Sequence, residues 1–143
     1  MNTSAVELLK DYEFWATAFR KKQNEIKRLE ERKTSITAEN DGLPKGTVRY
    51  TMEDYMAEKE QLQEEARELR SRMNEIYDRI FGLLVRMRKP REVDVLYRRY
   101  INLDSWDGIQ RQLGYSRSHL MYLHKKALEN LESVYVQYVQ TGI

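Results

Sequence analysis

Three observations predict an all-α fold built from two helical modules. The 143 residues include only six Gly and two Pro, so turns are scarce. Charged residues make up 34% and mean hydropathy is −0.81, which supplies abundant helix-compatible polar surface. Apolar residues also recur at alternating three- and four-residue spacing over long stretches, the period of a coiled-coil seam. A chain of this length holds one ordinary domain or two small helical modules, which excludes elaborate multidomain enzymes. The expected architecture is a long N-terminal antiparallel helical hairpin, a coiled coil over residues 1–87, followed by a C-terminal helix-turn-helix domain over 88–143.

The first register runs Leu8, Tyr12, Trp15, Phe19, Ile26, Leu29 and Ile36, with Lys22 and Lys33 in the two remaining slots. The second runs Met52, Tyr55, Lys59, Leu62, Ala66, Leu69, Met73, Ile76, Ile80, Leu83 and Met87 without a slip. At 1.5 Å per residue the second helix extends roughly 54 Å, so it must project or pack lengthwise. Between the registers, residues 39–50 hold two glycines and a proline, and the helix must break there. Asn40 or Gly42 closes the first helix in this reading. Thr51 caps the second, ahead of acidic Glu53 and Asp54 in its first turn. Lysines in seam positions cost stability and select register or oligomer state, so further association through this region is expected. The charge-rich stretch from Arg20 to Lys33 is read as a solvated flank with weak i, i+3 and i, i+4 pairs, and it is assigned no ligand.

Other classes of protein are excluded by what the sequence lacks. Zero cysteines remove disulfides, thiolate metal sites and a Cys nucleophile, and they fit a reducing compartment. The longest nearly apolar run, 80–85, is far short of the roughly 18 residues a membrane helix needs. The first twenty residues interleave Glu7, Lys10, Asp11, Glu13 and Arg20 with apolar positions, unlike a secretory signal. A soluble, cytoplasmic protein without membrane attachment is expected. His119 and His124 are five apart, not the four that would align two ligands on a helix face, so no metal site is expected and both are read as surface or DNA-facing. No phosphate-cradling loop, nucleophile elbow or zinc-protease motif is present. The chain is therefore predicted not to be an enzyme and to need no cofactor.

The C-terminal third carries the specific pattern. Pro90 sits where Pro favours a first helical turn, and Val93, Leu96, Tyr97, Tyr100 and Ile101 follow helical spacing to an end at Asn102 and Leu103. Ser105 caps a helix bearing Trp106, Ile109 and Leu113, which Gly114 ends by tolerating positive φ. A third helix begins after Ser116, with Leu120, Leu123, Ala127, Leu131, Val134 and Tyr138 on one face. Two helices joined by a short glycine-containing turn, behind a supporting helix, form the helix-turn-helix pattern. In that arrangement the second helix of the pair presents outward side chains to the major groove. The outward positions hold Arg117, Ser118, His119, Met121, Tyr122 and Lys125. Arg117 is suited to guanine acceptors, Ser118 and His119 to bases or phosphates, and Lys125 and Lys126 to phosphates, with Ser116 as the N-cap. Residues 88–126 contain nine basic and four acidic residues, leaving −3 for the rest of a chain whose total is +2. That asymmetry is expected of a polyanion-binding module attached to a non-binding one.

Residues 94–103 (DVLYRRYINL), 105–118 (SWDGIQRQLGYSRS) and 119–131 (HLMYLHKKALENL) resemble sigma-factor region 4. Leu96, Arg99 and Tyr100 match its first helix. Trp106, Ile109, Leu113, Gly114 and Ser116 match the second, and Leu120, Leu123, Ala127, Leu128 and Leu131 match the recognition helix. Joined to a long helical N-terminal region, the pattern looks like the phage-encoded ArpU and RinA type of late-gene regulator. No segment resembles the promoter-melting region 2. Gln110 stands where the family has a small residue, Ser118 where primary sigma factors have an acidic reader, and Tyr122 where they have an amide, so a standard −35 element is not implied. The resemblance implies a phage or prophage transcription regulator that binds double-stranded DNA and dimerises or contacts host RNA polymerase through its N-terminal helices. The alternatives are a small terminase subunit for DNA packaging and a sigma-mimicking adaptor that binds polymerase alone.

Overall fold

The computed structural model describes residues 4–33, 42, 44 and 49–141. Those residues are all-helical, with no strand among them. Helix α1 spans Ala5–Glu31, α2 Met52–Met87, α3 Pro90–Leu96, α4 Trp106–Leu113 and α5 Arg117–Thr141; a π-helical turn, Tyr97–Ile101, follows α3. None of these helices is long and apolar enough to cross a membrane. The chain divides into two compact units, one holding Met1–Trp15 and Met73–Ile143 and the other Ala16–Arg72. Helices α1 and α2 therefore each contribute a segment to both, whereas α5 lies wholly in the first.

Side chains fix the helix starts. Ser4 Oγ accepts the Glu7 N–H at 3.2 Å at the head of α1. Thr51 and Asp54 cap α2 reciprocally: Asp54 N–H donates to Thr51 Oγ1 at 3.1 Å and Thr51 N–H to Asp54 Oδ2 at 2.8 Å. The sequence-predicted start of α2 is thus the observed one. Helix α1 ends at Glu31, ahead of the Asn40 or Gly42 expected to close it; Ile36, Asn40 and most of the 39–50 segment lie outside the described residues, and Gly42 has a φ of 77°.

In the unit over Ala16–Arg72, Lys22 Nζ lies 2.9 Å from Glu65, and Lys59 Nζ lies 3.0 Å from Glu30. Rising positions on α1 meet falling positions on α2, so the two segments run antiparallel here. Leu29 and Tyr55 are buried together, with Tyr50 and Leu62 packed against them. Lys33 and Lys59 each place an ammonium 5.9 Å from the Tyr55 ring centre. The seam lysines expected to select an oligomer state thus find acidic or aromatic partners within their own chain. Along α2 every seam position from Tyr55 to Met87 is buried or half-buried, and Met52 alone of the seam is exposed.

The other unit has the larger interior. Leu8, Leu9, Tyr12, Ile80, Leu83, Leu84 and Met87 are buried in it, as are Val95, Leu96, Ile109, Leu120, Leu123, Ala127, Leu131 and Tyr135. Val95, Ile109, Leu120 and Leu123 form a cluster lined by Trp106, Leu113, Tyr115 and Met121. Met121 is therefore half-buried against the core and does not point outward as its position in the sequence predicts. Polar ties lock α5 in place: Ala5 N–H donates to Glu132 Oε2 at 2.8 Å, and Asn130 donates to Glu92.

The helix expected through Ile101 changes character after Leu96. Asn102 N–H bonds the Tyr97 carbonyl five residues back at 3.0 Å, and Asp104 N–H bonds the Arg98 carbonyl at 2.9 Å. Five residues are too few for apolar spacing to distinguish a π turn from an α turn. Leu103 then takes φ 58°, a left-handed value that side chains other than Gly rarely adopt.

Candidate nucleic-acid interface

The interface is built on α4, the turn after it and the first half of α5. Ser105 Oγ accepts the Gly108 N–H at 3.0 Å and starts α4 where the sequence predicts. Gly114, with φ 72° and ψ 18°, ends it, and its N–H bonds the Gln110 carbonyl at 2.9 Å. Ser116 Oγ then accepts the His119 N–H at 3.1 Å, which makes Ser116 the N-cap of α5. Three residues, Gly114, Tyr115 and Ser116, separate α4 from α5.

The core sets the face of α5 that remains free. Leu120, Leu123, Ala127 and Leu131 are buried, and at 100° per residue the opposite face carries Ser118, His119, Tyr122, Lys125 and Lys126. All five are exposed, as are Ser116 and Arg117. Tyr122 is 57% exposed and lies under the Lys126 ammonium, 5.9 Å from its ring centre. Lys126 also approaches Glu129 at 3.7 Å. His119 packs edge-on against Tyr115 at 4.9 Å. The first turn of α5 contains no acidic residue of its own.

Arg117 has a partner that sequence reasoning missed. Its Nη1 lies 3.0 Å from Asp107 Oδ1 in the first turn of α4. Both groups are exposed, so the pair is worth at most about 1 kcal/mol and opens easily. The signal in the sequence is Asp107 in a helical first turn, but its ten-residue distance from Arg117 has meaning only once the turn at Gly114 is formed.

His124 is half-buried, contrary to the expected surface or DNA-facing position. Its Nε2 is hydrogen-bonded to the Tyr100 hydroxyl at 2.7 Å, and its ring meets Trp106 edge-on at 4.6 Å. Burial and then the Arg99 charge hold its pKa below the usual value. Arg99 lies 4.8 Å above the Trp106 ring and donates from Nη1 to the Asp104 carbonyl at 3.0 Å. Arg98 braces the same corner through Asp94 at 3.0 Å and through Gln112. Among the described residues no group of three His, Cys, Asp or Glu side chains is arranged to hold a metal ion.

No known family matches the chain, and no curated protein or solved structure does so either.

Proposed function

We propose that this chain is a DNA-binding transcription regulator of phage or prophage type that lays α5 in the major groove. Residues 88–143 act as a sigma-region-4-like helix-turn-helix, with the N-terminal helices as the association or polymerase-contacting region. The observation that carries this reading is the exposed stripe Ser118, His119, Tyr122, Lys125 and Lys126, led by Arg117 at the capped end of α5. The opposite face of that helix is anchored by Leu120 and Ala127, both fully buried. A side-chain set of this kind combines a guanine reader, hydroxyl and imidazole donors, and two cations for backbone phosphates.

The test is selection of bound duplexes from a random-sequence pool by the full chain, followed by affinity measurements at several salt concentrations. Arg117→Ala is expected to cost about 1–3 kcal/mol on the selected sequence and to relax base preference. Lys125→Ala is expected to weaken selected and random duplexes alike and to lower the salt slope by about one unit. Equal, sequence-independent losses from both would put the wrong residues at the base edges. No duplex binding at low salt, with RNA polymerase binding retained, would replace this reading with the adaptor. A ring-forming stoichiometry would favour the terminase subunit.

A further inference from the structure

The corner formed by the π turn and α4 borders a half-open pocket of about 210 Å³ lined by Glu13, Arg99, Tyr100, Leu103, Trp106 and His124. It exceeds the roughly 150 Å³ cavity that accepts a benzene ring, so a molecule of about ten heavy atoms fits. Tyr100, Trp106 and His124 supply aromatic surface, and they are already fixed by mutual contacts. Leu103 holds a strained left-handed conformation on the cavity wall, and strain of this kind concentrates at binding sites.

Opposite charges narrow the class of ligand. Glu13 and Arg99 line the same small cavity, yet they do not form an ion pair with one another among the described residues. Arg99 spends one N–H on the Asp104 carbonyl and sits over the Trp106 ring, which leaves further guanidinium donors uncommitted. No hydrogen bond or ion pair reaches the Glu13 carboxylate among the described residues. Its charge acts on the cavity all the same, raising the pKa of the Tyr100 hydroxyl, although burial is the larger cause. A lone anion would be repelled by Glu13 and a lone cation by Arg99. A molecule carrying both charges satisfies both walls.

We propose that this cavity binds a small zwitterion, namely a free α-amino acid, with its ammonium towards Glu13, its carboxylate towards Arg99 and its side chain against the aromatic walls. The site is separate from the exposed stripe of α5 and does not depend on the DNA reading. It shares α5 with that stripe through His124.

The experiment is calorimetric titration of the full chain with each of the twenty proteinogenic L-amino acids. At least one is expected to saturate at a one-to-one ratio. Its N-acetyl and its carboxamide derivatives, each lacking one charge, are expected to bind at least tenfold more weakly. Glu13→Gln, an isosteric change at an exposed position, is expected to lose affinity to the same degree with an unchanged helical spectrum. Arg99→Gln is expected to do likewise, but it also removes the brace on Trp106, so Glu13→Gln is the deciding variant. Saturation by none of the twenty overturns the proposal. So does equal binding of the N-acetyl form, or wild-type affinity in Glu13→Gln.

Discussion

The Tyr100 hydroxyl and His124 Nε2, 2.7 Å apart, join the π turn to α5 across a half-buried contact. Burial and the neighbouring Arg99 favour the neutral imidazole in the folded chain. The unfolded chain therefore takes up a proton at higher pH than the folded one. The stability from this contact is complete above about pH 6.5, the ordinary imidazole value, and is lost as pH falls through the lower folded value. Denaturant titrations at a series of pH values check this: wild type should lose stability below about pH 6.5, and His124→Gln should lose less over the same interval. Identical slopes would remove His124 as the cause.

Two glycines should respond to Ala in opposite directions. Gly82 lies within α2, and a Cβ there would meet only Arg86 Nη1 at an ordinary 3.5 Å. Gly82→Ala should therefore stabilise by about 0.5–1 kcal/mol through helix propensity. Gly114 has φ 72° and open space where a methyl would sit, so only backbone strain opposes Ala. Gly114→Ala should cost about 1–2 kcal/mol, read as a shift in the denaturation midpoint.

Ile109 and Leu120 are both fully buried in the cluster beneath the candidate interface. Truncating Ile109 to Ala removes methyl groups from a site with no solvent access and should cost about 2–5 kcal/mol. Thermal unfolding followed by circular dichroism measures it. A cost below about 1 kcal/mol would mean that the cluster collapses around the cavity.

Asp107 holds Arg117 and adds a negative charge at the mouth of the proposed interface. Asp107→Asn should release the guanidinium and remove one repulsion with phosphate. Affinity for a random duplex at low salt should rise by about fivefold, the equivalent of roughly 1 kcal/mol. A fall in affinity would instead make Asp107 a support that orients Arg117 for binding.

Phe81 and Val85 lie one turn apart on α2 and are 49% and 55% exposed. If the N-terminal helices associate as proposed, this apolar pair supplies surface that the chain does not cover itself. Replacing both by Ser should weaken self-association at least about tenfold in sedimentation experiments, with the fold unchanged. Unaltered sedimentation would place association elsewhere.

Local physics was sufficient for much of what the residues determined. The caps at Thr51, Ser105 and Ser116, the seam from Tyr55 to Met87, the glycine turn at Gly114 and the exposed stripe of α5 each follow from spacing of a few residues. Such features rest on φ preferences and on side chains that bond backbone three residues away, so they are readable one segment at a time. What depends on distant partners was not readable. Lys22 and Lys59 read as seam lysines that select register or oligomer state until antiparallel packing brings Glu65 and Glu30 to them. Arg117 reads as free until the turn places Asp107 beside it, and His124 as a surface residue until the π turn carries Tyr100 onto its ring. Charge pairing and desolvation depend on distances of a few ångströms between residues far apart in the chain, and those distances exist only after the helices have packed.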